Sequence, residues 1–168
     1  MKYEFTGETK VVFGITLKRI RALMGFGVIA KGELGGWIEK EENLSRVSGD
    51  AWVFGNARVS GNAWVSGDAW VFSNARVLGD ARVFSNTSFL LVGPIGSCFA
   101  TLTVTADAQL GLRFTTDCFS GSRAEFVAAV AATHGAGKFR VQYDLAVALA
   151  DCSVTPCDPA DVANQEAA

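Results

Sequence analysis

One histidine and four cysteines are the side chains of this 168-residue chain best suited to nucleophilic or metal chemistry: His134, and Cys98, Cys118, Cys152 and Cys157. A thiol beside an imidazole base can act as a nucleophile. Nothing in the spacing joins Cys98 or Cys118 to His134, and a cysteine buried as a small hydrophobe is the commoner case. Cys152 and Cys157 stand five apart with no histidine close by. Zinc hydration chemistry takes about three histidines, which a chain with one does not have. No metal and no cofactor are therefore expected. Asp50, Asp68 and Asp80 resemble carboxylates set for proton transfer. Their slots are shared with Asn56, Asn62, Asn74 and Asn86. An amide cannot do a carboxylate's acid–base work, so these positions read as turn formers. What remains is a set suited to gripping another molecule: Trp52, Trp64 and Trp70, Arg58, Arg76 and Arg82, and Phe54 and Phe72. Tryptophan and arginine are the residue types that dominate interfaces.

These residues are placed by a six-residue phrase. Cut before each valine, Val47 to Ser88 reads VSGDAW, VFGNAR, VSGNAW, VSGDAW, VFSNAR, VLGDAR, VFSNTS. In Ala-x-Val the outer two side chains point one way and the middle one the other, as a strand's alternation requires. Ala and Val are expected inside, Trp or Arg outside. Gly followed by Asn or Asp supplies the corners. The longer phrase AWVFxNARV returns after eighteen residues, three sixes, so Trp70 is expected beside Trp52 and Arg76 beside Arg58. A short fixed period signals a solenoid, here a three-sided parallel β-helix spanning 47–92.

The rest of the chain frames that segment. Two strands, Lys2–Thr6 and Val11–Leu23, are expected in residues 1–46, split by a turn at Gly7–Thr9. Leu34–Ile38 is expected to fold over the column's open end with Trp37 as its plug, since an uncovered solenoid exposes its core. Gly93-Pro94 and Gly96 mark a linker. Residues 97–151 read as a ββαα unit. Phe99–Thr105 and Leu110–Thr115 make a hairpin, Ser122 and Glu125 form a capping box, and Gly135 stops the first helix. A second helix spans about Lys138–Ala150, with Phe139, Val141, Leu145 and Leu149 turned inward or toward a partner. Residues 152–168 read as a disordered tail. Net charge is −2, which argues against nucleic acid chosen by bulk charge. No apolar run is long enough to span a membrane and no signal peptide is evident, so the expected location is the cytoplasm.

TKVVFGITLKRIRAL, KGELGGWIEKEENLS and GDAWV, followed by the sixes, resemble a family of phage, prophage and bacterial hexapeptide-repeat proteins. LGGWIEKEENLS carries the likeness most strongly, over roughly residues 8–90. CFSGSRAEF and ATHG resemble a small unit appended to phage repeat proteins. The resemblance implies a mainly β fold with a left-handed, hexapeptide-type β-helix. It also implies a phage-type role, inhibiting or sequestering a host-defence component in the host cytoplasm. Many hexapeptide β-helices are acyltransferases, but those rely on a histidine base near the repeats, and His134 lies far beyond them. The expectation is therefore a non-catalytic binding protein that self-associates as a dimer or trimer through its Trp/Arg face and can take a host protein as partner. An acyltransferase-like enzyme and a structural scaffold are the alternatives.

Overall fold

The computed structural model describes residues 1–46 and 49–156, in two compact units, Met1–Asn86 and Thr87–Ala168. Val47, where the first six begins, and residues 157–168 of the expected tail lie outside the described residues.

Unit 1 opens with a long hairpin, β1 (Tyr3–Val12) and β2 (Ile15–Ala22). The expected turn at Gly7–Thr9 is instead a bulge within β1, between Phe5 and Thr9. The chain reverses at Phe13-Gly14, both with positive φ, at 51° and 80°. Two left-handed residues in a two-residue loop match the right-handed twist of a hairpin. Next come β3 (Leu34–Ile38) and six two-residue strands: β4 (Trp52–Val53), β5 (Arg58–Val59), β6 (Trp64–Val65), β7 (Trp70–Val71), β8 (Arg76–Val77) and β9 (Arg82–Val83). Alanines 51, 57, 63, 69, 75 and 81 and valines 53, 59, 65, 71, 77 and 83 are buried, as their alternation requires.

The architecture is not the left-handed three-sided parallel β-helix that the sixes and the resemblance suggest. Among the described residues the sheets are small and mixed, and none closes or runs on as a solenoid. One has five strands in the order β1-β2-β3-β5-β8, antiparallel through β3 and parallel beyond it. Two others have two parallel strands each, β4-β7 and β6-β9. The physical reason is length. Six strands paired at a spacing of eighteen give each sheet only two repeat strands. The five-stranded sheet gets its remaining strands from the N-terminal hairpin and β3, which pair antiparallel. Leu34–Ile38 is accordingly a strand within a sheet, not a flap over an open end. The eighteen-residue register itself is present, with Trp52 paired to Trp70, Arg58 to Arg76 and Trp64 to Arg82.

Unit 2 is a four-stranded antiparallel sheet and two helices. The strands are β10 (Phe89–Ile95), β11 (Ala100–Asp107), β12 (Gly111–Thr115) and β13 (Ser120–Ser122), paired in sequence order. The expected linker is therefore strand β10, whose register shifts between Val92 and Ile95 around Gly93-Pro94. A proline without an N–H is tolerated on such an edge strand. Helix α1 (Arg123–His134) starts at the Ser122–Glu125 capping box, and α2 (Lys138–Ser153) follows. Phe114, Phe126, Tyr143, Ala146, Val147 and Ala150 join the core with Leu102 and Val104.

Candidate binding surface

The binding residues expected from the repeats do not share one surface. Arg58 and Arg76 lie on the five-stranded sheet, Trp52 and Trp70 on the β4-β7 sheet, and Trp64 and Arg82 on the β6-β9 sheet. Trp52 is not outward at all. It is fully buried, with Tyr3 edge-on at 6.4 Å and Phe26 at 5.4 Å. The cause is tertiary: N-terminal residues cover that wall, and an indole retained there fills the space beneath them. Trp70 is half-buried, with Phe54 edge-on at 5.8 Å, and Phe72 is exposed. Trp64 and Arg82 are half-buried, and the Arg82 Nη1 donates to the Asn62 carbonyl at 2.9 Å.

A cross-strand row on the five-stranded sheet joins residues that lie far apart in sequence. Arg19 on β2 pairs with Trp37 on β3, Trp37 with Arg58 on β5, and Arg58 with Arg76 on β8. Neighbouring strands sit about 4.8 Å apart, so all four side chains project as close neighbours. Lys10 reaches in from β1, its Nζ 3.9 Å from the Trp37 ring centroid, and the Arg19 guanidinium lies 5.7 Å from it. The Arg76 guanidinium stands 5.0 Å from the ring of Phe13, which is exposed at the hairpin tip. Arg19 also forms an ion pair with Glu8 at 3.1 Å. Burial first, then the charges of Arg58 and Arg19, push the Lys10 ammonium down from 10.5 to about 8.

Sequence reasoning placed Trp37 as a plug and missed this row. A signal for it exists. Gly36-Trp37-Ile38 has the same small–large–aliphatic form as Ala57-Arg58-Val59, the tripeptide it pairs with. Even alanine is too large at Gly36, where a Cβ would stand 2.8 Å from the Ala57 carbonyl oxygen.

His134, at the end of α1, stacks on Tyr143 at 5.6 Å and lies 5.7 Å from Phe139. Cys98, Cys118 and Cys152 are exposed, free thiols. Asp68 accepts from the Asp50 backbone N–H at 3.2 Å and Asp80 accepts from Asn62 at 3.2 Å, both corner-to-corner bonds at a spacing of eighteen.

Helix α2 carries a second unusual feature. It packs inward on Tyr143, Ala146, Val147 and Ala150, whereas Val141, Leu145 and Leu149 are 55%, 67% and 49% exposed. Of the four residues expected inward or toward a partner, Val141, Leu145 and Leu149 are not inward, and Phe139 is half-buried. The three aliphatics fall at i, i+4 and i+8, on one stripe.

These surfaces define the chain as a two-unit, mixed-sheet protein with a cationic–aromatic sheet face and an apolar helix stripe. No protein-family model matches the chain, and no curated protein matches it. Among the described residues no helix is long and apolar enough to cross a membrane.

Proposed function

We propose that this chain is a non-catalytic binding protein that self-associates. The observation that carries the reading is the α2 stripe, Val141, Leu145 and Leu149, held in water on a helix whose opposite side is already packed. A helix apolar on both sides fits burial on both sides. The stripe is symmetric about Leu145. Against a second copy running antiparallel, Leu145 meets its equivalent and Val141 meets Leu149. Covering six half-exposed aliphatics gains roughly 6–9 kcal/mol gross at about 25 cal/mol per Å². Association itself costs about 4–15 kcal/mol, which leaves at most about 5 kcal/mol, so the dimer is expected to be weak, with a Kd of roughly 0.2 mM at best.

The resemblance to phage and prophage repeat proteins directs the search for a further partner to a host-defence component, whose sequestration would be the biological role. The test is sedimentation velocity at graded concentrations for the wild type and Leu145→Lys. A concentration-dependent dimer lost in the variant supports the reading, and a wild type that stays monomeric at several hundred micromolar ends it. Capture of a defence component from host lysate, absent with unrelated bait, supports the biological role.

A further inference from the structure

The row on the five-stranded sheet gathers like charges that folding alone would keep apart. Arg58 and Arg76 are direct parallel-strand neighbours, and Arg58 also stands beside Trp37, over which Lys10 and Arg19 lie. Like charges set opposite each other across strands destabilise a sheet. The charges acting on Lys10 are Arg58 and Arg19, both of its own sign, and the Glu8 carboxylate is engaged by Arg19. An anion placed among Lys10, Arg19 and Arg58 would relieve it.

Phe13 adds a second, independent oddity. It occupies the first position of a two-residue hairpin loop at φ 51°, ahead of Gly14. That position favours Asn or Gly, and a bulky aromatic there is strained. The ring is nevertheless 73% exposed, with the Arg76 guanidinium 5.0 Å from its centroid. A strained, exposed aromatic beside a cationic row makes an apolar wall next to an anion-binding floor.

We propose that Lys10, Arg19 and Arg58, arranged around Trp37, form an oxyanion site for the phosphate of a phosphomonoester, with Phe13 flanking its organic group. A phosphate dianion suits several converging cations better than a single carboxylate does. Guanidinium forks match its oxygens, and the lysine supplies a point charge. Trp37 is the floor that holds Lys10 in place. Burial first, and then the Arg58 and Arg19 charges, hold the Lys10 ammonium down, and an arriving dianion drives it back up. Net charge of −2 keeps bulk attraction small, so recognition depends on this local patch.

The test uses the full chain at low ionic strength and pH 7, with inorganic phosphate, phenyl phosphate and benzoate as probes. Indole fluorescence reads binding, and the Lys10 side-chain carbon shift is followed against pH. Phosphate is expected to bind and to move Lys10 from about 8 toward its ordinary 10.5. Phenyl phosphate is expected to bind several-fold more tightly than inorganic phosphate, and benzoate weakly. Arg58→Gln and Lys10→Met are expected to lower phosphate affinity about tenfold each, since charge-assisted hydrogen bonds are the strong ones. Phe13→Asn, which suits its turn better and keeps the fold, is expected to erase only the advantage of phenyl phosphate. Benzoate binding as tightly as phenyl phosphate, undiminished phosphate binding in both Arg58→Gln and Lys10→Met, or a Lys10 titration indifferent to bound phosphate would each overturn the proposal.

Discussion

Trp52→Ala is the substitution on which the structure and the repeat pattern disagree most. By pattern, residue 52 is equivalent to Trp70 and faces water, so its loss would cost little. In the structure it is fully buried against Tyr3 and Phe26, and a Cβ on Gly35 would lie 2.7 Å from its Cζ2. Removing a buried indole from a packed site costs about 3–5 kcal/mol. Trp70→Ala, at a half-buried ring, should cost about half that. A small domain holds only about 5–15 kcal/mol in all. With a urea slope near 1 kcal/mol/M for a unit this size, Trp52→Ala should lower the midpoint by roughly 3 M or abolish the fold outright. All four tryptophans lie in the Met1–Asn86 unit, so indole emission reports that unit alone. Trp52→Phe separates packing from polarity. It keeps a ring against Tyr3 and Phe26 and removes an indole N–H that has no acceptor among the described residues. Lost area and a relieved unpaired donor nearly offset, so a change within about 1 kcal/mol is expected. A Trp52→Ala midpoint matching that of Trp70→Ala would refute the buried placement.

Two further outcomes follow from unit 1. Gly35→Ala should destabilise the same unit by about 1–3 kcal/mol in the same urea assay, because its Cβ would meet Ile20 Cγ1 at 2.6 Å and the Val53 carbonyl oxygen at 2.8 Å; a neutral result would place β3 farther from β4. The Tyr3 hydroxyl donates to the Glu41 and Leu44 carbonyls, and burial pushes it from 10 up to about 12. A folded value above the unfolded one gives stability that is complete below pH 10 and lost as pH rises toward 12. Tyr3→Phe should flatten that alkaline fall in a pH series of urea midpoints, and an unchanged slope would assign it to another group.

What the sequence made legible was whatever repeats locally. Ala and Val inside follow from a period of two, and the pairing of Arg58 with Arg76 follows from a phrase that returns after eighteen residues. The number of strands a sheet collects is not local. Whether the sixes build a column or short parallel patches depends on what pairs at the sheet's other edge, and the N-terminal hairpin settles that through β2 and β3. The burial of Trp52 is non-local for the same reason, since Tyr3 and Phe26, which cover it, are 49 and 26 positions upstream. The cationic row needed the β3–β5 pairing, which only the form of Gly36-Trp37-Ile38 hinted at.

Helix α2 shows a different limit. Its sequence is apolar on two sides, with Ala146 and Ala150 on one and Val141, Leu145 and Leu149 on the other, so periodicity gives no single inward direction. Side-chain size suggests the larger residues go inside, where they remove more surface from water. The structure takes the opposite choice, because small residues let a helix backbone come close while Tyr143 and Val147 fill the remaining space with Phe126. A helix oriented by close approach leaves its larger aliphatics for a second contact. On the self-association proposed above, Leu145 and Leu149 are what a second copy covers.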